Sequence, residues 1–499
     1  MKIVYIPLDE RPCNYAFAQQ IAQGTPVQLV VPEIGLLGNK KTPANTGAVV
    51  DFLKTECADA DGCVLSLDML LYGGIVPSRI HQLSAEELAG RLDTVRELKQ
   101  KNPALKIFAF ALIMRCPSYS SADEEPDYYE SCGREIFLTG QVKHKQALGL
   151  ISEQEAQALL QVYGEKTKEY LADFEKRRNI NRSLLEKILT EYRDCFEVLI
   201  IPQDDSSAYG YTTVDREYLK QVVASTGKGE VPMYPGADEV GMSLLANAAC
   251  ALMGRQPLVR PVYAHEKSPQ MVPLYEDRPV GQTIPVLLRT SGCRVPEDMN
   301  TEPDITLYLN YPACDPVEVW QEPSEGYKMR DMDAFCDRVA QTVKEGKLAA
   351  VADVAYCNGG DAEFVQMLSR RFPLTDLAAY AGWNTSSNTL GTVACQAVFA
   401  WLFGKNEHSE RFTAQRLYED VGYCGHVRRE VTGLIEPWGF GYFDAGETDG
   451  KVAQLVRQRL EIYMADLLPQ IAEKYQIDRC QMPWKRMFEV DLTLRRHTI

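Results

Sequence analysis

The chain has 499 residues, more than one simple domain needs, and its composition of 45% hydrophobic and 24% charged residues is that of a globular protein. Its formal net charge is −16, and its basic residues are scattered rather than clustered, which argues against nucleic acid or an anionic membrane surface as a partner. Along this chain, short apolar runs that end in polar residues recur at intervals.

Eight of these apolar runs are predicted as strands, and helical segments separate most of them. They begin near residues 2, 62, 106, 198, 231, 258, 305 and 349, and residues 27–31 indicate a short additional strand. A capping box of Ser84 and Glu87 predicts the start of one intervening helix. Because nearly every run ends in polar or charged residues, the pattern predicts an α/β fold with a (β/α)8 TIM-like barrel. A doubly wound sheet shows the same alternation and stays open as an alternative.

Two stretches depart from this alternation. Residues 119–196 are largely charged and poor in glycine, so we predict a helical insertion in which Ser152 begins one helix. From residue 396 onward the pattern becomes helical. We therefore predict a catalytic barrel domain at residues 1–395 and a C-terminal, mostly helical domain at residues 396–499.

Two adjacent carboxylates, Asp204 and Asp205, follow the buried apolar run Val198–Ile201. A helix cap or a loop ion pair is the ordinary explanation for a single aspartate at such a place. Two carboxylates side by side cannot ionise independently, so one tends to remain an acid while the other is an anion. The pair is therefore the first candidate for catalytic residues, provided that the backbone turns so that both side chains face one ligand.

Other polar residues at or beyond strand ends are candidate substrate contacts. They are Asp9, Arg11, Asp68, Arg115, Asp238, Glu239, Asn310, Asp315, Asn358, Trp383 and Asn384. Asparagine and aspartate hold sugar hydroxyls, and an aromatic ring stacks on the apolar face of a sugar. The competing explanations are turns at the asparagines, a core position for Trp383, and simple ion pairs for the two arginines.

The sequence predicts neither a metal ion nor an organic cofactor. Its six histidines are far apart, and its glycine-rich segments lack the spacing of a phosphate-binding loop. A magnesium or manganese site built from carboxylates alone is an open alternative, with Asp9, Asp68, Asp204 and Asp238 as its ligands.

Two further features of the sequence indicate the cellular compartment of the protein. No apolar run approaches the length of a membrane span, and the first residues lack the apolar segment of a signal peptide. The fourteen cysteines show no CxxC spacing, which indicates free thiols rather than a disulfide framework. We therefore expect a cytoplasmic protein without a membrane partner.

Taken in order, the strand-end motifs resemble the catalytic barrel of bacterial O-GlcNAcase-like β-N-acetylglucosaminidases. In that family an Asp-Asp pair ends the fourth strand, Asn-Tyr-Pro with a nearby Asp ends the seventh, an Asn follows the eighth, and Trp-Asn lies beyond. The matching positions here are Asp204-Asp205, Asn310-Tyr311-Pro312 with Asp315, Asn358, and Trp383-Asn384. The whole chain also resembles a bacterial family of about this length known only as a domain of unknown function, which implies no activity.

The first resemblance implies a retaining glycoside hydrolase that uses the acetamido group of an N-acetylhexosaminide as its nucleophile. Asp204 would orient that group, and Asp205 would be the general acid and then the general base. Asn310, Asp315 and Asn358 would hold hydroxyls or the acetamido group. The implied partner is a small carbohydrate or glycoconjugate, and the oligomeric state is left open.

Departures from the family pattern keep other functions open. The family's lysine after the second strand has no counterpart near Asp68 and Tyr72, and Asp238-Glu239 replace its fifth-strand tyrosine. A glycosidase that uses Asp205 with Asp238 or Glu239 is one alternative. A carboxylate-metal-dependent hydrolase and a carbohydrate-binding barrel without turnover are the others.

Overall fold

The structure, a computed structural model, describes residues 1–298 and 301–497. The chain forms two compact units. The first comprises Met1–Glu10, Gln28–Leu244 and Tyr275–Asp277, and the second comprises Arg11–Val27, Leu245–Leu274 and Arg278–Ile499. The boundary predicted between residues 395 and 396 falls inside the second unit, and the predicted division of the chain stays a prediction.

A parallel sheet forms the centre of the first unit. Its strands are β1 (Lys2–Ile6), β2 (Gln28–Val30), β3 (Gly62–Ser66), β4 (Lys106–Phe110) and β5 (Val198–Ile200). They pair in the order β2-β1-β3-β4-β5. β1, β3 and β4 are almost wholly buried, because unbroken apolar runs give both of their faces to the interior. The short additional strand expected at residues 27–31 is confirmed as β2.

The segment predicted as a strand from residue 231 is extended but pairs only at isolated points. Ile201 donates its N–H to the carbonyl of Pro232, and Gln203 donates to that of Tyr234, both at 3.0 Å. Gln203 also forms a single parallel bridge with Pro235. Because the two prolines have no N–H to donate, a regular ladder cannot form along this segment.

A second parallel sheet lies in the second unit. Its strands are β6 (Val259–Tyr263), β7 (Ile305–Leu309), β8 (Leu348–Ala352) and β9 (Ala379–Ala381), paired in that order. The strands predicted near residues 258, 305 and 349 are confirmed, and β9 is a short strand that the count of eight omitted. Among the described residues the strand pairing closes neither sheet. The α/β class with parallel sheets is therefore confirmed, and the closed barrel stays a prediction.

Helices of the first unit pack on its sheet or form the insertion. They are Thr46–Glu56, Leu67–Tyr72, Ile75–Ile80, Ala85–Leu92, Thr94–Lys101, Tyr129–Ala147, Glu153–Lys187 and Tyr211–Thr226. Both predicted helix starts are confirmed: Ser152 accepts the N–H of Glu155, and Ser84 and Glu87 form the full capping box. Two long helices thus occupy most of the predicted insertion, with a π-helical turn at Ile188–Tyr192.

Helices of the second unit surround β6–β9 and a large apolar core. They are Pro12–Ala22, Val280–Thr290, Glu325–Lys328, Met332–Lys344, Ala362–Ser369, Ser386–Phe403, Glu407–Arg416, Arg428–Ile435, Lys451–Leu467 and Pro469–Lys474. One further helix, Val240–Met253, includes the point where the chain passes from one unit to the other. A π-helix at Leu417–Val427 and an antiparallel hairpin, β10 (Tyr475–Gln481) with β11 (Asp491–Arg496), complete the unit. The C-terminal part thus contains a β-hairpin that the sequence did not predict.

Candidate active site

A partly buried ion cluster lies at the carboxyl edge of the first unit's sheet. Its two arginines and four carboxylates are Arg79, Arg115, Glu124, Glu125, Asp204 and Asp205. Two carboxylates follow β5, one arginine follows β4, and the other lies in the helix Ile75–Ile80 beyond β3. The carboxyl ends of parallel strands meet at one edge of a sheet, which is where ligands bind in open α/β folds.

Asp204 is held by both guanidinium groups of the cluster. Its Oδ2 accepts hydrogen bonds from Nη2 of Arg79 at 2.7 Å and from Nη1 of Arg115 at 3.3 Å. Charge-assisted hydrogen bonds of this kind stabilise the carboxylate over the carboxylic acid. Asp204 is therefore positioned by two positively charged side chains.

Asp205 has a different environment although it is the next residue. It accepts one hydrogen bond, from Nη1 of Arg115 at 2.9 Å. Burial raises the pKa of Asp205 to about 7, the negative charge of Asp204 adds to this rise, and the two arginines oppose it. Its φ of +43° lies in the left-handed region, and this is the turn that lets both neighbouring carboxylates reach the same arginine.

The other two carboxylates of the cluster come from the loop before the helix Tyr129–Ala147. Glu125 accepts from Nε of Arg115 at 2.7 Å, and burial raises its pKa. Glu124 accepts from Nη1 of Arg79 at 2.9 Å and from Nη2 of Arg115 at 3.1 Å. The sequence analysis missed Arg79, Glu124 and Glu125. The acidic run at residues 123–125 was the available signal for the two glutamates.

The remaining predicted residues of the first unit are buried acids. Asp68 accepts the backbone N–H of Leu112 at 2.9 Å, burial raises its pKa to about 7, and the charge of Arg79 opposes the rise. Burial also raises the pKa of Glu239 to about 8, helped by the charge of Asp238. Asp9, directly beyond β1, is 2% exposed. The positive charge of Arg79 therefore acts on Asp68 as well as on the carboxylates of the ion cluster.

Asn310 lies in a separate polar cluster, at the carboxyl ends of β7 to β9 in the second unit. Its Nδ2 donates to Oδ1 of Asp353 at 2.9 Å, and its Oδ1 accepts from Arg330. Tyr380 donates its hydroxyl to Oδ2 of Asp353 at 2.9 Å. Burial and the charge of Asp361 raise the pKa of Asp353 to about 7. The sequence analysis missed Asp353, Asp361, Arg330 and Tyr380 around Asn310, although Asp361 stands in the Asn-Gly-Gly-Asp segment after β8.

Asn358 and Asn384 contact each other in the second unit. The N–H of Asn358 donates to the carbonyl of Asn384 at 2.8 Å, and both residues have left-handed φ values, +62° and +50°. The side-chain Nδ2 of Asn358 donates to Oε2 of Glu318 at 2.9 Å. Asp315 is exposed and accepts the N–H of Val272 at 2.9 Å.

Trp383 and Arg11 are both packed into the interior of the second unit. Trp383 is 8% exposed, donates Nε1 to Thr392 at 3.1 Å, and meets the ring of Phe17 edge-on at 5.9 Å. This packing leaves little of the indole face for a sugar. Arg11 lies over the ring of Trp484 at 4.6 Å, with a carboxylate partner in the same unit.

Comparison with known protein families gives one match, which covers almost the whole chain. A family described as "Protein of unknown function (DUF4127)" matches residues 3–493. The chain belongs to the DUF4127 family. This confirms the predicted resemblance to a family of unknown function, whereas the likeness of this DUF4127 protein to O-GlcNAcase-like enzymes stays a prediction. No curated protein and no solved structure gives a significant match.

Within residues 1–298 and 301–497, no helix combines the length and the apolar character needed to cross a bilayer.

Proposed function

We propose that the protein is a glycoside hydrolase in which Asp205 is the proton donor and Asp204 is its anionic partner. One observation carries the proposal: two neighbouring carboxylates at a strand end have different hydrogen-bond partners and different surroundings. Asp204 accepts from two guanidinium groups, whereas the pKa of Asp205 is raised to about 7. An acid and an anion side by side are what glycosidic cleavage requires.

Retaining, substrate-assisted cleavage of an N-acetylhexosaminide is the preferred mechanism. Asp205 gives its proton to the glycosidic oxygen as the bond to the anomeric carbon breaks, and the acetamido oxygen forms the new bond to that carbon. Asp204 orients the acetamido N–H and stabilises the positive oxazolinium ion. Water then attacks the anomeric carbon, the bond from that carbon to the acetamido oxygen breaks, and Asp205 takes a proton from the water. This restores the acid and the acetamido group and releases the sugar with retained configuration.

Ion pairing in the cluster favours acid–base chemistry over a carboxylate metal site. Oxygens of all four carboxylates already accept hydrogen bonds from Arg79 and Arg115. A cation bound there would lie beside two buried guanidinium groups, whose positive charge opposes it.

The proposal also includes a (β/α)8 barrel as the complete fold and the cytoplasm as the compartment. Parallel strands with polar residues at their carboxyl ends support a (β/α)8 barrel. The fourteen cysteines are free thiols, as suits a reducing cytoplasm. The proposed partner is a small carbohydrate or a glycoconjugate.

A panel of chromogenic aryl glycosides tests the function. We expect wild type to cleave the N-acetylhexosaminide, with or without EDTA. Asp205→Asn is expected to lose far more rate on a poor leaving group than on a good one, because only a poor leaving group needs protonation. Absence of turnover on every glycoside by folded wild type, or loss of activity with EDTA, contradicts the proposal.

A further inference from the structure

The two arginines of the ion cluster divide their donors between the loop glutamates and the aspartate pair. Arg79 donates Nη1 to Glu124 at 2.9 Å and Nη2 to Asp204 at 2.7 Å. Arg115 donates Nη2 to Glu124 at 3.1 Å and directs Nη1 to the aspartates. A guanidinium group is planar and rigid, so a carboxylate that holds one nitrogen fixes where the other nitrogens point. Glu124 therefore sets the direction of two donor groups at once.

Asp205 receives the smallest part of this positive charge. Its hydrogen bond from Nη1 of Arg115, at 2.9 Å, uses a nitrogen that also donates to Asp204 at 3.3 Å. Burial raises the pKa of Asp205 most, the charges of Asp204 and Glu124 add to the rise, and the two arginines oppose it. A carboxylate that holds the arginines away from Asp205 therefore favours its protonated form.

Glu124 and its neighbour Glu125 contact the arginines differently. Glu125 accepts from Nε of Arg115 at 2.7 Å, whereas its contact with Nη1 of Arg79 is long, at 3.5 Å. Glu125 is also 2% exposed, and burial raises its pKa. The side chain of Glu124 is 19% exposed and accepts from a terminal nitrogen of each arginine. Of the two glutamates, Glu124 is therefore the one that holds both arginines at hydrogen-bond distance through terminal nitrogens.

The loop that carries Glu124 is fixed at points on both sides of it. Ala122 donates its N–H to Oε2 of Glu130 at 3.0 Å, and Asp123 pairs with the ammonium group of Lys40. Glu130 lies in the first turn of the helix Tyr129–Ala147, so the loop is tied to that helix. Glu124 is thus held in position by its backbone surroundings as well as by the arginines.

We infer that Glu124 is a positioning residue for the proton donor: it takes one nitrogen of each arginine, directs the other donors to Asp204, and so leaves Asp205 protonated. Glu124 acts through Arg79 and Arg115 and does not itself contact the sugar. The inference rests on the proposed function, because it assigns Glu124 a role through the acid of a glycoside hydrolase.

Several titratable or charged groups surround Asp205, and the variants must leave the others in place. They are Asp204 in the same loop, Arg115 beyond β4, Arg79 in the helix Ile75–Ile80, and Tyr119, Glu124 and Glu125 in the loop before the helix Tyr129–Ala147. The phenol of Tyr119 is neutral near pH 7. Glu124→Gln keeps the size of the side chain and removes only its charge, so a changed titration of Asp205 reports that charge.

The first test follows the titration of Asp205 without turnover. Carbon-13 NMR of the full chain labelled at the aspartate carboxyls gives the midpoint, and the signal that is missing in Asp205→Asn assigns it. Wild type is expected to titrate at about pH 7. Glu124→Gln is expected to titrate about one pH unit lower, because the same two guanidinium groups then act on one carboxylate fewer.

Glu130→Gln is the matched control for this measurement. It is the same substitution in the adjoining segment, and within the described residues Glu130 has no hydrogen bond to either arginine. Its midpoint for Asp205 should equal that of wild type. Glu124→Ala gives the same test if the glutamine variant does not fold, because water can replace a side chain that is partly exposed.

The second test is kcat/KM on an aryl N-acetylhexosaminide with a poor leaving group. Glu124→Gln should lose about fivefold at pH 7 and almost nothing at pH 5, since a pKa lowered by about one unit depletes the acid only near neutral pH. A merely structural defect would lower activity at both pH values. Glu124→Asp keeps a carboxylate in the loop and should recover most of the activity at pH 7.

The outcomes separate the inference from the function beneath it. If wild type cleaves the substrate but Asp205 has the same midpoint in wild type and Glu124→Gln, the positioning role is wrong and the hydrolase stands. If wild type cleaves no glycoside but the midpoint falls in Glu124→Gln and not in Glu130→Gln, the hydrolase is wrong and the control of Asp205 by Glu124 stands. If Asp205 of wild type titrates at about 4, the value of an ordinary aspartate, the inference is wrong whatever the activity.

Discussion

The carboxylate of Asp205 lies 2.9 Å from Nη1 of Arg115, and the pKa of this aspartate is nevertheless raised to about 7. A guanidinium at that distance normally lowers a carboxyl pKa. The loss of hydration on burial and the charge of Asp204 outweigh it here, so Asp205 can carry a proton near neutral pH while the arginine keeps it in position.

We expect activity to depend on pH through this residue. Because Asp205 donates its proton in the first step, kcat/KM should fall as pH rises through about 7, where the acid ionises. A pH profile on an aryl N-acetylhexosaminide with a poor leaving group measures this limb. A flat profile between pH 6 and about 8.5 would contradict the assignment of the acid.

Asp204→Asn should move the same limb in a defined direction. Removing the negative charge beside Asp205 removes one cause of its raised pKa, so the limb of the residual activity should shift to lower pH. The loss in kcat should be large, about 100-fold or more, since the oxazolinium ion loses its anionic partner. An unchanged limb would show that the two carboxylates do not interact in the working enzyme.

Arg79→Ala is expected to destabilise the protein strongly. It leaves Asp204 and Glu124, both partly buried, with one guanidinium fewer, and the expected loss of about 3 kcal/mol is at the low end for a broken buried ion pair. Urea unfolding at neutral pH measures the change. Arg182→Ala is a suitable control, because this arginine is 31% exposed and its partner Asp215 keeps a second, buried arginine. Equal losses from both variants would contradict a structural role for the cluster.

Asp68→Asn should change how stability depends on pH. In the folded protein burial raises the pKa of Asp68 to about 7, from 3.8 for the ordinary group. Between these two values the folded state binds more protons than the unfolded state, so wild type loses stability as pH rises through this window. The variant lacks this loss, and its stability relative to wild type should therefore increase from pH 4 toward 7. Urea unfolding at several pH values tests the sign, and a constant difference would contradict it.

Trp383→Ala should affect folding far more than sugar binding. The indole is 8% exposed and packs against Phe17, so its removal leaves a cavity that costs about 3–5 kcal/mol. Unfolding measurements, together with calorimetric binding of N-acetylglucosamine to the folded fraction, separate the two effects. A loss of binding with unchanged stability would instead support Trp383 as the ring on which a sugar stacks.

Helix starts and strand ends could be predicted from the sequence, because they depend on residues that are neighbours in the chain. Ser84 and Ser152 begin helices because their side chains cap amides three residues ahead, and the Val198–Ile201 run places Asp204 at a strand end through its own apolar pattern. Arg79 was missed because its contact with Asp204 joins residues 125 positions apart, and no local pattern records such a contact. Sheet closure and the burial of Trp383 likewise depend on tertiary packing.

The left-handed backbone at position 205 sets a conflict between folding and function. An aspartate in this conformation is strained by about 1–3 kcal/mol, which glycine would relieve and asparagine would reduce. Random mutation selected only for thermal stability should therefore favour Gly or Asn at this position and remove the proton donor in the same step. Family members that have lost the activity would be recognisable by a relaxed residue at this position.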